Sequence, residues 1–361
     1  MAKVVKFKNS IDEIIFLVTS NEGKPYFYVN KYIKFLQTIK KSTNTIKSYA
    51  YRLKLYWDYV ESYQMDFKKI TMDDFVKYVG WLQGNGNIHS KNRSTNTINY
   101  NVTAVFGFYN YLARFHSEVL ETELDFYTES IKKYSYRSFL EHTKSSVKSK
   151  LKVLKLREVK KTYKKLSAEQ LKKIFNYKMN LRNRLLLQIL YETGMRISEA
   201  LNIKLEDIDI SDKKILITKS KTPYGENRWV YLSADTINLL QDYIYEIHEK
   251  NNFDSDYLFL KLTGNQRGQP CDYSTVEAFF KSVSKMVGFK VTPHMFRHTL
   301  ATELHESNVE ISIIKAILGH KDVQTTINMY IHPSEKSIRT EFDKVVQNRE
   351  KGKENVKSKS K

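Results

Sequence analysis

The sequence is poor in cysteine and has no long apolar run, and each deficit excludes a class of protein. Cys271 is the only cysteine in 361 residues, so an intramolecular disulfide is impossible and a zinc or redox motif would need a second thiol. We interpret Cys271 as structural or incidental. The longest early apolar run, residues 14–18, is too short for a signal-peptide core or a membrane-spanning helix. We therefore expect a cytoplasmic protein.

Acidic residues are also few relative to basic ones. The chain carries 60 Lys and Arg against 40 Asp and Glu, a formal net charge of +20. Such an excess is typical of proteins that bind a polyanion, either nucleic acid or an acidic membrane surface. Because no apolar anchor accompanies the charge, nucleic acid is the favoured partner and no membrane is expected. With 41% hydrophobic residues, the chain is long enough for two packed domains.

The apolar pattern and the charge distribution divide the chain into five segments. Residues 1–24 form a basic extension, and 25–143 show the apolar spacing of a helical domain. Residues 144–165 are rich in lysine, which indicates a basic linker that is either solvated or lies along a phosphate backbone. Residues 166–347 form a second domain, and 348–361 have the composition of a disordered basic tail.

The helical domain contains one short sequence twice. Ser-Thr-Asn-Thr-Ile begins at Ser42 and again at Ser94, each time at the start of an amphipathic pattern, so both serines are predicted to cap helices. A third helix is predicted from Thr71 to Leu82. Most of the Tyr and Phe side chains in this half are expected to fill the core.

The second domain is predicted to consist of helices around a small sheet. Ser167 begins a capping box, and Gly194 ends a later helix. Three short β-patterns follow, at 208–210, 214–218 and 228–232. The predicted fold class is mainly α with a small antiparallel β-sheet.

Several polar residues of the second domain have types that suit phosphodiester cleavage. Thr292 and Pro293 predict a helix start that places His294 and Arg297 on one helix face. Taken alone, this pair is explained as well or better by a packed histidine and an ion-paired arginine. No acidic or thiol residue clusters with His294 and His298 in the sequence, so no metal site is expected.

The other candidate catalytic residues are supported only by their order in the chain. Arg196 follows the helix-ending glycine, and Lys219 and Lys221 follow a predicted strand, where a flexible ammonium can reach a bound phosphate. His320 ends a Leu-Gly-His triplet, and Tyr330 follows ten residues later. Individually, each of them is also explained as an ordinary surface residue.

Together these motifs resemble those of the tyrosine recombinases, the phage integrase family. The resemblance covers 166–347 and rests on four motifs in family order: Gly-Met-Arg-Ile-Ser-Glu-Ala around Arg196, His294-x-x-Arg297, Leu-Gly-His320 and Tyr330-x-His. It implies a two-domain DNA clamp, with a helical SAM-like core-binding domain and a mixed α/β catalytic domain. It also implies site-specific recombination, in which DNA strands are cleaved and rejoined through a 3′-phosphotyrosine intermediate.

The resemblance assigns a role to each candidate. Tyr330 is the nucleophile, Arg196 and Arg297 neutralise the phosphate oxygens, Lys221 donates a proton to the departing oxygen, and His294 and His320 assist proton transfer and phosphate contact. Lys221 matches the family's lysine better than Lys219 does, although the choice between them stays open. Because positive side chains take the electrostatic role, no nucleotide, metal or other cofactor is expected.

The implied partners are double-stranded DNA and further copies of the chain. A tetramer on two DNA duplexes is expected, with accessory recombination proteins as an option, and such a protein would be associated with the nucleoid. Residues 334–346 have the apolar spacing of a helix that docks either on a neighbouring protomer or within its own chain. Candidate DNA contacts lie near two helix starts of the first domain, where a solvated helix face explains them almost as well: Lys47, Arg52, Arg93 and Asn96.

Three alternative functions remain open at this stage. A type IB topoisomerase uses the same tyrosine chemistry but rejoins the same strand, and a DNA-binding regulator would keep the scaffold without cleaving. The full set of catalytic residue types disfavours the regulator. The third alternative is a chromosome-dimer resolvase, and the basic segments 1–24 and 348–361 favour a mobile-element integrase or transposase over it.

Overall fold

The computed structural model describes residues 1–8, 10, 13–84, 93–121, 154–157, 165–221 and 223–319. The chain divides into two compact units, Met1–Lys160 and Lys161–Lys361. The division falls inside the lysine-rich stretch 144–165. His320, Tyr330, the segment 334–346 and the tail 348–361 lie outside the described residues.

Four helices dominate the described part of the amino-terminal unit. They are α1 (Phe27–Thr38), α2 (Thr43–Ser62), α3 (Met72–Gln83) and α4 (Thr95–Phe115). Ser42 and Ser94 cap α2 and α4 as predicted, because their Oγ atoms accept hydrogen bonds from Thr45 N at 3.2 Å and Thr97 N at 3.4 Å. The third predicted helix is confirmed as α3.

Aromatic side chains fill the core of this unit, as the sequence predicted. Tyr56, Tyr78 and Tyr109 are fully buried. The hydroxyls of Tyr56 and Tyr109 share a hydrogen bond of 2.8 Å, and the Tyr109 hydroxyl also lies 2.9 Å from the carbonyl oxygen of Phe67. These hydrogen bonds offset the cost of removing the hydroxyls of Tyr56 and Tyr109 from water.

The extension 1–24 contains a β-hairpin that the sequence did not predict. Strands β1 (Lys3–Lys8) and β2 (Ile14–Thr19) pair antiparallel, with Lys3 opposite Thr19. Phe16 and Val18 are buried in the core of the amino-terminal unit. Three of the six residues of β1 are lysines, so its composition alone is that of a basic tail, and only its pairing with β2 shows that it is a strand.

Part of the lysine-rich stretch also belongs to this core. Leu154 is buried and Leu156 packs beside it. The side chain of Asn99 exchanges two hydrogen bonds with the backbone of Leu156, each 2.9 Å long. Residues 154–157 are therefore anchored to the amino-terminal unit by both packing and hydrogen bonds.

The carboxy-terminal unit combines helices with one small sheet. Its described helices are α5 (Ala168–Phe175), α6 (Leu181–Thr193), the single turn α7 (Ile197–Ala200), α8 (Ala234–Tyr243), α9 (Tyr273–Val287), α10 (Pro293–Glu306) and α11 (Ile311–Leu318). The strands β3 (Ile208–Asp209), β4 (Lys214–Ile217) and β5 (Arg228–Tyr231) form an antiparallel sheet in the order β3-β4-β5. The predicted fold class and all three predicted strands are confirmed.

Gly194 marks the point where three helices of this unit meet. It ends α6 with a φ of +59°, as the sequence predicted, and a side chain there would lie 2.9 Å from Leu300 of α10 and 3.1 Å from Leu318 of α11. The end of α6 is thereby held against both later helices. Arg196, two residues further on, is brought to the same place.

Two further expectations concern single features. Cys271 is buried, and this burial raises the pKa of its thiol, which agrees with its interpretation as a structural residue. None of the helices in the described ranges combines the length and apolar character that a membrane crossing requires.

Candidate active site

Arg196 is held by a glutamate three residues later. It is the N-cap residue of α7, and its backbone N–H donates to Glu199 Oε2 at 2.9 Å. Its guanidinium Nη1 donates to Glu199 Oε1 at 2.7 Å, and the arginine side chain is 17% exposed. One carboxylate therefore orients both the backbone and the side chain of Arg196, while part of the guanidinium remains accessible.

Glu199 is a buried charge at the centre of a polar cluster. Besides Arg196, it accepts hydrogen bonds from Ser220 Oγ and from Arg228 Nη2, both at 2.6 Å. Burial acts to raise the pKa of Glu199, but the hydrogen bond and charge of Arg228, with help from Ser220 and Arg196, lower it to about 2. Glu199 is therefore ionised at neutral pH.

Neither Glu199 nor Arg228 was a candidate from the sequence. Glu199 stands in the quoted motif around Arg196, so its spacing of three residues from the arginine was an available signal. Arg228 gave no local signal beyond a basic residue at a strand start. Its role depends on a contact between residues 29 positions apart.

Arg297 lies on α10, which begins at Pro293 with Thr292 as its N-cap residue, as predicted. The Thr292 side chain makes no capping hydrogen bond, however, so Pro293 is the stronger of the two helix-start features. Arg297 is only 4% exposed. Its Nη1 donates to the carbonyl oxygen of Gly194 at 2.9 Å, and its Nη2 donates to that of Leu318 at 2.6 Å.

Three arginines bind three successive carbonyl groups at the end of α11. Arg228 Nε donates to Ile317 O at 3.2 Å, Arg297 Nη2 to Leu318 O at 2.6 Å, and Arg196 Nη2 to Gly319 O at 3.4 Å. The last carbonyls of a helix lack partners within the helix and carry partial negative charge, so cations stabilise them. The arrangement fixes the point from which the chain continues to His320.

His294 lies within the electrostatic reach of three cations. Its side chain is exposed at the start of α10. Partial desolvation lowers the pKa of His294, and the charges of Arg297, Arg196 and Lys221 lower it further. The structure thus brings together four of the six predicted catalytic residues, Arg196, Lys221, His294 and Arg297, while His320 and Tyr330 lie outside the described residues. Lys219, the alternative to Lys221, is exposed beyond the end of β4.

His298 differs from His294 in its surroundings. It is 5% exposed, and burial lowers its pKa to about 4, with further contributions from His294 and Arg297. The ring is therefore neutral at pH 7. Among the described residues, no three His, Cys, Asp or Glu side chains are grouped so that they could hold a metal ion.

A broad cavity opens beside His294. It has a volume of about 1140 Å³ and is lined by residues of α9, α10 and the segment between them. Its lining includes the lysines Lys281, Lys285 and Lys290. Lys281 forms an ion pair of 2.9 Å with Glu277. The cavity therefore adds positive charge to the surroundings of His294.

The predicted DNA contacts of the amino-terminal unit lie in two places. Lys47 and Arg52 line an open groove of about 420 Å³ between the amino-terminal halves of α2 and α4, and the Arg52 guanidinium lies 5.2 Å from the ring centre of Tyr100. Arg93 is instead stacked 5.5 Å from the ring centre of Trp81 and donates to Leu82 O at 3.4 Å. Asn96 is half-buried in the first turn of α4.

Two family models match the chain. The phage integrase family matches residues 164–337, and the phage integrase N-terminal SAM-like domain matches residues 29–116. Transposase A of transposon Tn554 from Staphylococcus aureus is 32% identical over an alignment of 351 residues that covers 93% of this chain and 95% of the transposase. Tyrosine recombinase XerA of Pyrococcus horikoshii is 28% identical over 316 residues, 88% of this chain and 92% of XerA.

Solved structures share the fold. The integrase of transposon Tn1549, in complex with a circular intermediate DNA, has a TM-score of 0.62 at 18% identity and covers 88% of this chain and 99% of its own. The XerH recombinase bound to difH DNA has a TM-score of 0.59 at 23% identity and covers 86% and 82%. With a relative above 30% identity along nearly its whole length, this chain belongs to the phage integrase family, the tyrosine-type site-specific recombinases.

Proposed function

We propose that this protein cleaves and rejoins DNA strands at the ends of a mobile element, through a covalent bond between Tyr330 and a 3′-phosphate. The observation that carries the proposal is that Arg196 and Arg297 both bind the end of α11, while their charges and that of Lys221 act on His294. The chain leads from the end of α11 to His320 and, ten residues later, to Tyr330.

The arginines stabilise the charge that grows on the phosphate during the reaction. A guanidinium is always charged and donates hydrogen bonds in a fixed fork that suits phosphate oxygens. Arg196 and Arg297 are held in place before substrate binds, by Glu199 and by the carbonyl groups of Gly194 and Leu318. Donors fixed in advance in this way usually make the largest single contribution to catalysis.

The proton transfers follow from the remaining groups. The Tyr330 oxygen bonds to phosphorus, and the bond from phosphorus to the 5′ oxygen breaks. Lys221 gives its proton to the departing 5′ oxygen. Desolvation and the nearby cations lower the pKa of His294, which favours the neutral ring that can accept the tyrosine proton. We assign this role to Lys221 over Lys219 because its charge acts on His294.

The energy of the broken phosphodiester is kept in the phosphotyrosine bond. A 5′-hydroxyl from another strand reverses the step and produces strand exchange, so neither a nucleotide nor a metal ion is consumed. Positive side chains supply the stabilisation that metal ions give in other phosphoryl transfers. Tetramers on two duplexes, with or without accessory proteins, provide the second strand.

Double-stranded DNA is the partner that the charge pattern supports. The net charge of +20 and the lysines near His294 suit a phosphate backbone, and both structural neighbours named above are DNA complexes. We assign further DNA contacts to the groove of Lys47 and Arg52, with Asn96 at the start of α4. A DNA-binding protein of this kind would work in the cytoplasm, on the nucleoid.

The assignment to a mobile element is supported by the relatives. The Tn554 transposase is 32% identical to this chain and aligns with 93% of it, against 28% and 88% for XerA. Both alignments include nearly the full length of the relative. We therefore favour transposition or integration over the resolution of chromosome dimers.

A covalent-adduct experiment tests the proposal. Nicked duplexes from the DNA that flanks the gene are incubated with the native chain or with Tyr330→Phe, in EDTA and without ATP, and the products are separated on a denaturing gel. We expect an adduct with the native chain alone. Joining of the cleaved strand to a second, labelled duplex separates a recombinase from a topoisomerase, and DNA binding without any adduct would support the regulator instead.

A further inference from the structure

We propose that Arg228 is a positioning residue that balances the charge of Glu199, so that Arg196 keeps its positive charge for the scissile phosphate. The inference deepens the proposed function and rests on it. Arg228 was not a candidate from the sequence, and it belongs to neither the predicted catalytic set nor the predicted DNA contacts.

The contacts of Arg228 connect it to both parts of the site. Nη2 lies 2.6 Å from Glu199 Oε2, and Nε lies 3.2 Å from the carbonyl oxygen of Ile317. Nη1 donates to the carbonyl oxygen of Gly225. A single guanidinium at the start of β5 therefore binds the carboxylate that orients Arg196 and the end of the helix that leads to His320.

The charge balance of the cluster gives Arg228 its function. Glu199 must lie close to Arg196 to orient it, but a single carboxylate paired with a single guanidinium would leave the pair neutral. Their opposite charges would then largely cancel at the phosphate. With Arg228 as a second partner of the same carboxylate, the three side chains carry one net positive charge. The Glu199 carboxylate can then orient Arg196 without cancelling its positive charge at the phosphate.

The two glycines of the site leave space for this arrangement. A side chain at Gly319 would lie 2.9 Å from both Cζ and Nη1 of Arg228 and 3.0 Å from Gly225 Cα. At Gly225 it would lie 2.3 Å from Ser220 Oγ and 3.3 Å from Arg196 Nη1. The glycine that precedes His320 is thus packed directly on the guanidinium of Arg228.

Each of the three guanidinium nitrogens of Arg228 has an acceptor within the protein, so we expect Arg228 to act through Arg196 and not as a DNA contact. The Arg228 side chain is 10% exposed, and the Glu199 side chain beneath it is fully buried. A contribution through Arg196 alters the rate of the chemical step, whereas a direct phosphate contact would alter DNA affinity. The two roles are therefore distinguished by measuring both quantities.

The test compares Arg228→Gln, which is neutral, with Arg228→Lys, which keeps the charge. Single-turnover cleavage of a nicked duplex and the Kd for the same DNA are measured for both variants and for the double variant Arg228→Gln with Glu199→Gln. The matched control is Arg182→Gln, because Arg182 is another largely buried arginine of the same unit but binds Asn183 and the carbonyl oxygen of Leu260. Circular dichroism establishes which variants are folded.

We expect Arg228→Gln to cleave about 10- to 100-fold more slowly than the native chain, as for other residues that orient catalytic groups, with an unchanged Kd. Arg228→Lys should retain most of the rate, and the added Glu199→Gln should restore part of it by removing the unbalanced negative charge. Arg182→Gln should cleave at the native rate.

Three results would overturn the inference. Arg228→Gln could cleave at the native rate, the Lys and Gln variants could be equally slow, or the double variant could be no faster than Arg228→Gln alone. If Arg228→Gln does not fold, the test rests on Arg228→Lys alone. Slow cleavage by a folded Arg228→Lys would then overturn the inference. A native chain that forms no adduct would overturn the proposed function and this inference together.

Discussion

Arg297 and Arg196 bind neighbouring carbonyl groups at the end of α11. Nη2 of Arg297 lies 2.6 Å from the oxygen of Leu318, and Nη2 of Arg196 lies 3.4 Å from that of Gly319. The two guanidinium groups are thus positioned by the same helix end, although they are 101 positions apart in the sequence. Any change that moves this helix end should disturb both arginines at once.

Gly319→Ala should impair cleavage beyond its effect on folding. The φ of Gly319 is +62°, and a methyl group there would lie 2.9 Å from the Arg228 guanidinium. We expect the free energy of unfolding to fall by about 1–2 kcal/mol from the backbone strain, and the cleavage rate at a temperature where the protein is folded to fall as well. Urea unfolding and the adduct assay measure the two effects.

The control for this variant is Gly264→Ala. Gly264 has a similar φ of +78°, but a side chain there would meet nothing within 4 Å. It should show a comparable loss of stability and a native cleavage rate. Equal cleavage rates for the two variants would show that Gly319 is needed only for its backbone conformation.

Lys221→Ala should slow cleavage by about 10²- to 10⁴-fold, the usual contribution of a general acid. A substrate with sulfur in place of the departing 5′ oxygen should recover much of this loss, since a thiolate leaves without a proton. Lys219→Ala serves as the control, because Lys219 is another exposed lysine of the same loop. If the sulfur substrate rescues Lys219→Ala instead, the two assignments must be exchanged.

The buried imidazole of His298 should make stability depend on pH. Its pKa is lowered from 6.5 to about 4, so the folded state binds fewer protons than the unfolded state between these values. Stability is complete above pH 6.5, decreases as the pH falls towards 4, and then levels off, with a total loss of about 3 kcal/mol. Urea unfolding at pH 7.5 and pH 4.5 measures the difference.

His298→Gln should remove most of this pH dependence. His294 contributes in the same direction, since its pKa is also lowered, but it is present in both proteins. The difference between native and variant therefore isolates His298. Parallel losses of stability in the two proteins would show that other groups cause the acid effect.

Local signals account for what the sequence predicted. Ser42 and Ser94 cap the two helices whose starts they predicted. Gly194 ends α6 because its backbone adopts the left-handed conformation. The β-patterns at 214–218 and 228–232 lie within one short antiparallel sheet, so their partners are near in the chain. Such features depend on a few adjacent residues and can be found without a structure.

Contacts between distant residues account for what the sequence missed. The hairpin strand β1 gains its structure from pairing with β2 and packing on the helices. The roles of Glu199 and Arg228 depend on each other and on the carbonyl group of Ile317, 89 residues after Arg228. No residue type or spacing near Arg228 indicates such a contact, because a buried arginine and an exposed one look alike in a sequence.

Arg52 and Arg93 should respond differently to substitution, although both were predicted to contact DNA. Arg52 lines the open groove beside Lys47, so Arg52→Gln should weaken DNA binding and lower the slope of log K against log salt by about 1, the effect of one lost phosphate contact. Arg93 is engaged by the ring of Trp81 and the carbonyl oxygen of Leu82. Arg93→Gln should therefore reduce stability and leave the slope unchanged. Binding titrations at several salt concentrations, with urea unfolding of each variant, decide between the two roles. A slope that Arg52→Gln leaves unchanged would mean that the groove of Lys47 and Arg52 does not contact DNA.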